Sequence, residues 1–277
     1  MIGFVGLGNI GGAMAARLDP AELLVHDVRE EAAAPFVERG ARFGTLKELA
    51  VECDVISVVV LTDAQVRDVV GRLLEDATEG TVVAVHSTVE TGTAAELAAR
   101  AAPLGVHVLD APVSGGAIGA AEGRLAVMVG GERSAYERAK PVFQHWASLV
   151  LHLGPAGAGT QAKLARNLLT FAGFAAAAEA SRLAESCGLD LGKLAAVVRH
   201  SDVITGGPSA VMVRRTTEPF RADDALRSVF EHTRTLGEKD LALALALGEA
   251  HDVELPFARL ALDHLAAALG VPHEESP

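Results

Sequence analysis

The chain is poor in cysteine, in aromatic side chains and in positive charge, and each shortage closes off a class of function. Cys53 and Cys187 are its two cysteines, far apart and in no CxxC or Cys/His pattern of zinc spacing, which excludes a disulfide scaffold and a zinc module. Both thiols are expected as reduced core residues. The ten histidines are scattered with no HExxH among them, so no metal is expected. Aromatics make up only 4% of the chain, and the abundance of alanine favours close-packed helices over an aromatic-rich sandwich. Lys and Arg number 24 against 36 Asp and Glu, a formal charge of −12. That balance argues against nucleic acid or an anionic membrane surface as the main partner, because both need concentrated positive charge. The apolar stretch 171–180 falls short of the ~20 residues of a membrane span and carries Glu179, with Arg166 just before it. Met1 leads straight into the first hydrophobic run, leaving no room for a targeting peptide, so the cytoplasm is the expected location.

What the chain does have is a core. Half of its 277 residues are hydrophobic and 22% are charged, a composition for one large or two ordinary globular domains. Up to about Gly154, short β-branched runs at 2–5, 23–26, 55–61, 82–86, 107–109, 125–129 and 149–153 alternate with segments such as 63–74 and 93–102 of helical apolar spacing. This is the pattern of βαβ units in a doubly wound parallel sheet. After the turn-forming Gly154-Pro155-Ala156-Gly157-Ala158-Gly159 the β-branched runs stop and helices are predicted over 160–186, 190–201, 224–250 and 256–269, the last with Pro256 in its first turn. The fold class is therefore α/β, an N-terminal Rossmann domain over 1–156 followed by an all-α domain over 157–277. In the helix 160–186, Leu164, Leu168, Leu169, Phe171, Ala172 and Phe174 spread around much of the circumference, which predicts burial on several sides. The tail 271–277 is expected to fray.

Gly6-Leu7-Gly8-Asn9-Ile10-Gly11 fits GxGxxG between a predicted strand and a predicted helix. Gly6 permits the tight turn, Gly8 lets backbone approach a pyrophosphate, and Gly11 permits close helix–strand packing, with the phosphates at the helix N-terminus. Asp27 ends the second strand nineteen positions beyond Gly8, near the spacing of the acid that bonds the adenosine ribose, so NAD is the expected cofactor. Arg29 leaves a route to NADP. Ser87 to Glu90 spells S-x-x-E, a capping box for the helix that follows. Asp110-Ala111-Pro112-Val113-Ser114-Gly115-Gly116 follows the sixth strand, and its hydroxyl and glycine N–H groups could cradle a carboxylate. Gly157-Ala158-Gly159-Thr160-Gln161-Ala162-Lys163 then sets a lysine in the first turn of the long helix, with Asn167 four residues on along the same face.

Together these segments resemble the β-hydroxyacid dehydrogenases of the 3-hydroxyisobutyrate dehydrogenase type, through GFVGLGNIGGAMA at 3–15, Ser87-Thr88, DAPVSGG, Gly130-Gly131, GxGxxxK at 157–163, and Lys239-Asp240-Leu241 with Leu243-Ala244. The resemblance implies a catalytic Lys163, a substrate-carboxylate loop of Ser114, Gly115 and Gly116, and Asn167 as a substrate contact. It places Leu61-Thr62 and Thr88 on the nicotinamide side and Lys239 near the cofactor. It also implies a homodimer or homotetramer formed through the helices. Arg166 stands where the family usually has the first of two asparagines, and Thr62 where proline is common.

The activity implied is reversible hydride transfer between NAD, or NADP, and the carbinol carbon of a small 3-hydroxy carboxylate. Lys163 must be neutral to accept the hydroxyl proton, so burial or a nearby cation has to lower its pKa, and Lys239 is the expected cation. An imine reductase, which usually lacks this lysine, and a nucleotide-binding sensor without turnover are the alternatives.

Overall fold

The computed structural model describes residues 1–273. The chain divides into two compact units, one covering Met1–Arg166 and the other beginning at Asn167. In the first unit the strands are β1 (Ile2–Val5), β2 (Leu23–His26), β3 (Arg42–Phe43), β4 (Val55–Val58), β5 (Val82–Val85), β6 (His107–Asp110), β7 (Val113–Ser114), β8 (Leu125–Gly130) and β9 (Ala147–Gly154). The helices between them are α1 (Asn9–Ala15), α2 (Ala34–Val37), α3 (Leu46–Glu52), α4 (Asp63–Asp76), α5 (Thr93–Ala101), α6 (Gly116–Ala121) and α7 (Arg133–Phe143). The sheet order is β3-β2-β1-β4-β5-β6-β8-β7, with β9 on β8. The first six strands are parallel, in the Rossmann order 3-2-1-4-5-6. β8 then runs antiparallel to β6 and β7, and β9 parallel to β8.

The sheet is buried on both faces, so its strands are apolar at successive positions yet still divide their side chains with a period of two. Phe4, Leu23, Val25, Val82 and Ala84 enter one core, which reaches Trp146 and Phe143. Their neighbours Val5, Leu24, Val83 and Val85 enter the other, with Ile56, Val58 and Leu97. Strands β3 and β7, two residues each, are too short to leave a periodic signal in the sequence. The predicted strand 55–61 ends at Val58, and Val59 and Val60 lie against Gly6 of the glycine loop.

The second unit is helical. Helix α8 (Ala158–Ser186) begins in the first unit and is followed by α9 (Leu191–Thr205), α10 (Arg227–Ala250) and α11 (Pro256–Leu269). Phe230, Leu269 and Val271 form a small core with Phe220 and Leu265 against it, so Val271 is packed rather than frayed; residues 274–277 of the expected tail lie outside the described residues. The Glu179 carboxylate of α8, itself buried, accepts from the backbone N–H of Phe257 at 2.8 Å and of Ala258 at 3.1 Å, at the head of α11. The expectation that α8 is buried on several sides fails for the single chain: Leu168 is 73% exposed, Phe171 61% and Phe174 64%. Among the described residues no helix is long and apolar enough to cross a membrane.

Candidate active site

The glycine loop links β1 to α1 at the carboxyl edge of the sheet. Gly6 has a φ of 92°, and a Cβ on it would collide with the carbonyl of Val59, while one on Gly11 would collide with the carbonyl of Gly6. Both positions therefore exclude any other residue. At Gly8 a Cβ would meet nothing within 4 Å, so backbone is open to an incoming group just where Asn9 and Ile10 start the helix with its positive end outward. A cavity of about 360 Å³ adjoins the loop, lined by Gly6, His26, Asp27, Val28 and Val60 among others. Asp27 is only 8% exposed, and its carboxylate accepts from Leu7 N–H at 2.7 Å and from Arg29 N–H at 2.9 Å. Sequence spacing points to it as a ribose acceptor; the structure adds that it holds the glycine loop from behind. An open glycine turn at a helix N-terminus, with a carboxylate at the mouth of a cavity, fits a dinucleotide.

The next two strand ends differ from expectation in detail. Ser87 does not cap a helix: its hydroxyl donates to Val60 O at 2.7 Å and accepts from Val60 N–H at 3.0 Å, tying the end of β5 to the end of β4. The following helix starts later, at Thr93, with Gly92 before it. Thr62 is the residue that forms a capping box, with Gln65, at the head of α4. Leu61 and Thr88 are exposed.

Ser114 sits half-buried on β7, and Gly115 and Gly116 turn the chain with φ of 132° and 65°. His86 braces this loop from below. Its Nδ1 lies 2.7 Å from Ala111 O and its Nε2 3.1 Å from Ser57 Oγ. A carbonyl only accepts, so Nδ1 carries the proton and Nε2 accepts from the serine hydroxyl. Its edges meet the rings of Phe143 and Trp146, and burial pushes its pKa from 6.5 down to about 4.

The long helix begins against the same loop. Lys163 Nζ donates to Val113 O at 2.7 Å, which puts the ammonium beside Ser114. Its pKa is lowered, first by burial and then by the positive charge of Arg166 one turn on. Along α8 the cation acting on Lys163 is Arg166; Lys239, the expected cation, lies on α10 in the second unit, 60% exposed and paired with Asp240 at 3.1 Å. Asp110, fully buried, accepts from Gly157 N–H and Thr160 N–H, each at 2.7 Å. Sequence reasoning gave Asp110 no role of its own; the available signal was a helix opening on Gly-Ala-Gly-Thr with no nearby side chain of its own to satisfy its first N–H groups. The first unit therefore assembles the glycine loop, Asp27, the Ser114–Gly116 turn and Lys163, whereas Asn167 and Lys239 belong to the second unit. Cys53 is buried as expected, but Cys187 is partly exposed, its Sγ 3.7 Å from His251 Nε2.

Comparison with known proteins agrees with this arrangement. The family model for the NAD binding domain of 6-phosphogluconate dehydrogenase matches residues 1–154, and that described as NAD-binding of NADP-dependent 3-hydroxyisobutyrate dehydrogenase matches residues 157–275. An uncharacterized oxidoreductase of Mycobacterium tuberculosis is 56% identical over 280 residues, spanning 99% of this chain and 95% of that protein. A solved structure of an oxidoreductase from Mycobacterium avium superposes with a TM-score of 0.94 at 54% identity, covering 98% of this chain and 99% of the other. The 3-hydroxyisobutyrate dehydrogenase of M. tuberculosis, solved with L-serine, gives a TM-score of 0.66 at 34% identity over 97% of this chain and 94% of the other. With the glycine turn, the helix-borne lysine and these matches together, the chain belongs to the β-hydroxyacid dehydrogenase family of oxidoreductases, whose cofactor is NAD or NADP.

Proposed function

We propose that this chain catalyses the reversible oxidation of a small 3-hydroxy carboxylic acid, of the class of 3-hydroxyisobutyrate or L-serine, with NAD preferred over NADP and Lys163 as general acid and base. The observation that carries the reading is the lysine itself: half-buried, hydrogen-bonded to Val113 O beside the Ser114–Gly116 turn, and with its pKa pulled down. Gly6, Leu7, Gly8, Asn9, Ile10, Gly11 and Asp27 hold the cofactor, which supplies the hydride acceptor when bound. The Asp27 carboxylate disfavours the 2′-phosphate of NADP by charge repulsion.

In the oxidative direction neutral Lys163 takes the proton of the substrate hydroxyl as the carbonyl forms; in reverse its ammonium returns that proton to the oxygen. Ser114 and the N–H groups of Gly115 and Gly116 receive the substrate carboxylate, which sets the hydroxyl at a fixed distance from Nζ. Asn167 as a substrate contact, and Leu61, Thr62, Thr88 and Lys239 on the cofactor side, are assigned by the family resemblance. We place the division of labour at 156/157, cofactor binding before it and substrate binding and oligomerisation after it. The exposed apolar side chains of α8 support a homodimer or homotetramer that covers them.

The test is NADH formation across 3-hydroxyisobutyrate, L-serine and glycerate, with NADP in parallel and with the corresponding amides and alcohols as controls. Turnover that requires the carboxylate and prefers NAD is the expected result. Reduction of a cyclic imine without turnover of any hydroxy acid would overturn the reading in favour of an imine reductase, and cofactor binding with neither activity in favour of a sensor.

A further inference from the structure

The first N–H groups of a helix have no partner within it, and α8 opens on Gly157-Ala158-Gly159-Thr160 without a capping side chain of its own. Asp110, at the end of β6, supplies the acceptor from 47 and 50 residues away: Oδ1 takes Gly157 N–H and Oδ2 takes Thr160 N–H, both at 2.7 Å. The carboxylate is completely buried, so these bonds are not shared with bulk water, and its charge faces the positive end of the helix dipole. Backbone closes the junction from the other side. Gly130 of β8 pairs with Asp110 in the sheet; a Cβ on Gly130 would lie 2.8 Å from Gly159 N, and one on Gly159 only 2.6 Å from Asp110 O. One helical turn further on, Lys163 Nζ reaches back to Val113 O, three residues past Asp110. The segments 110–113 and 157–163 are thus tied at both ends, by a carboxylate below and by an ammonium above.

We propose that Asp110 is the positioning residue of Lys163: by clamping the start of α8 to the end of β6 it fixes the height of the helix at which Nζ meets Val113 O beside the carboxylate turn. The inference rests on the reading of Lys163 as general acid and base. A slip of one residue moves a helix by about 1.5 Å along its axis, enough to release Nζ from the carbonyl into solvent. The charged neighbour of Lys163 along the helix is Arg166, and the Asp110 carboxylate lies at the helix head, engaged by the two N–H groups.

The test is Asp110→Asn in the full-length chain, which keeps the side-chain shape but turns an amide donor toward one of the two N–H groups. Lysine reactivity is followed by competitive labelling with acetic anhydride against pH and peptide mass spectrometry, with Lys47, 71% exposed, as internal reference. In the unmodified protein Lys163 titrates below the ordinary lysine range. In Asp110→Asn it moves up toward the ordinary lysine value of ~10.4, while the dissociation constant for NAD is unchanged. With whichever panel acid turns over fastest, kcat falls on the order of 10²-fold, the usual penalty of misplacing a reacting group by an ångström, and KM changes far less. A folded Asp110→Asn protein in which Lys163 titrates as before overturns the proposal. Should that variant not fold, amide hydrogen exchange of the unmodified protein decides: Gly157 and Thr160 N–H exchanging as fast as exposed loop amides also overturns it. Labelling and exchange need no turnover, so they judge Asp110 separately from the proposed reaction, which Lys163→Ala judges.

Discussion

Acidification should weaken this protein through one imidazole. His86 lies in the core with its pKa held at about 4 rather than 6.5, chiefly by burial. Above pH 6.5 it is neutral in both folded and unfolded chains and its full contribution to stability is present. As pH falls below 6.5 the unfolded chain takes up a proton that the folded chain refuses, and stability drops by 1.36 kcal/mol for each pH unit until about pH 4. Between pH 7.5 and 5.0 the loss from this residue alone is about 2 kcal/mol, a sizeable part of the 5–15 kcal/mol that folded domains usually possess. Carboxylates titrate in the lower part of the same range, so the measurement is a difference. Urea unfolding of the unmodified chain and of His86→Asn is compared at pH 7.5, 6.0 and 5.0; the asparagine amide can replace Nδ1–H toward Ala111 O but has no proton to gain. The variant should be less stable at pH 7.5, and the gap should narrow by about 2 kcal/mol at pH 5.0. Stability curves that stay parallel across the range would refute the assignment of His86 as a buried neutral imidazole.

Lys163→Ala should lower kcat by about 10²–10⁴-fold with NAD binding retained, and Lys163→Arg should fail nearly as badly because a guanidinium hardly deprotonates; both are read in steady-state assays. In the unmodified enzyme the oxidation rate should rise with pH as Lys163 loses its proton, at an apparent pKa below that of an ordinary lysine, since burial and Arg166 both disfavour the charged form; a rise that tracks a free lysine contradicts this. Ser114→Ala should raise KM for the hydroxy acid more than it lowers kcat, and an unchanged KM removes Ser114 from the site. Asp27→Ala should weaken NAD binding and narrow the preference over NADP, measured by titrating the intrinsic fluorescence, because it removes both a ribose acceptor and the partner of Leu7 N–H.

What could be read from the sequence depended on how local the cause was. The glycine turn was legible because each glycine answers a constraint within a few residues of itself, and β1, β2 and α11 came out at their observed limits because β-branched runs and Pro256 punctuate them. Ser87 shows the opposite case. Its S-x-x-E spacing satisfies a local capping rule, yet the hydroxyl is taken by Val60, a partner 27 residues away that no local pattern reveals. Asp110 was hidden in the same way, its two partners lying beyond the next three strands. Lys163 was singled out by its motif, and the family pattern drew attention to Lys239 as its cation, although helical spacing already put a second cation, Arg166, one turn away. The apolar circumference of α8 predicted burial on several sides, whereas within the chain Leu168, Phe171 and Phe174 stand exposed.

The carboxylate of Glu179 makes the last helix harder to remove than its position near the end of the chain implies. Pro256 brings no N–H to the first turn of α11, so Phe257 and Ala258 are the donors there, and both are given to that one buried acid. A version of the protein stopped before Pro256 would lose more than the packing of one helix: it would take from the Glu179 carboxylate the two backbone donors that hold it, leaving it Arg182 at 3.9 Å. Shortened forms made for crystallisation should therefore keep α11 whole, or carry Glu179→Gln or Glu179→Leu alongside the deletion, and fusion partners belong beyond Val271, after the small core that it closes.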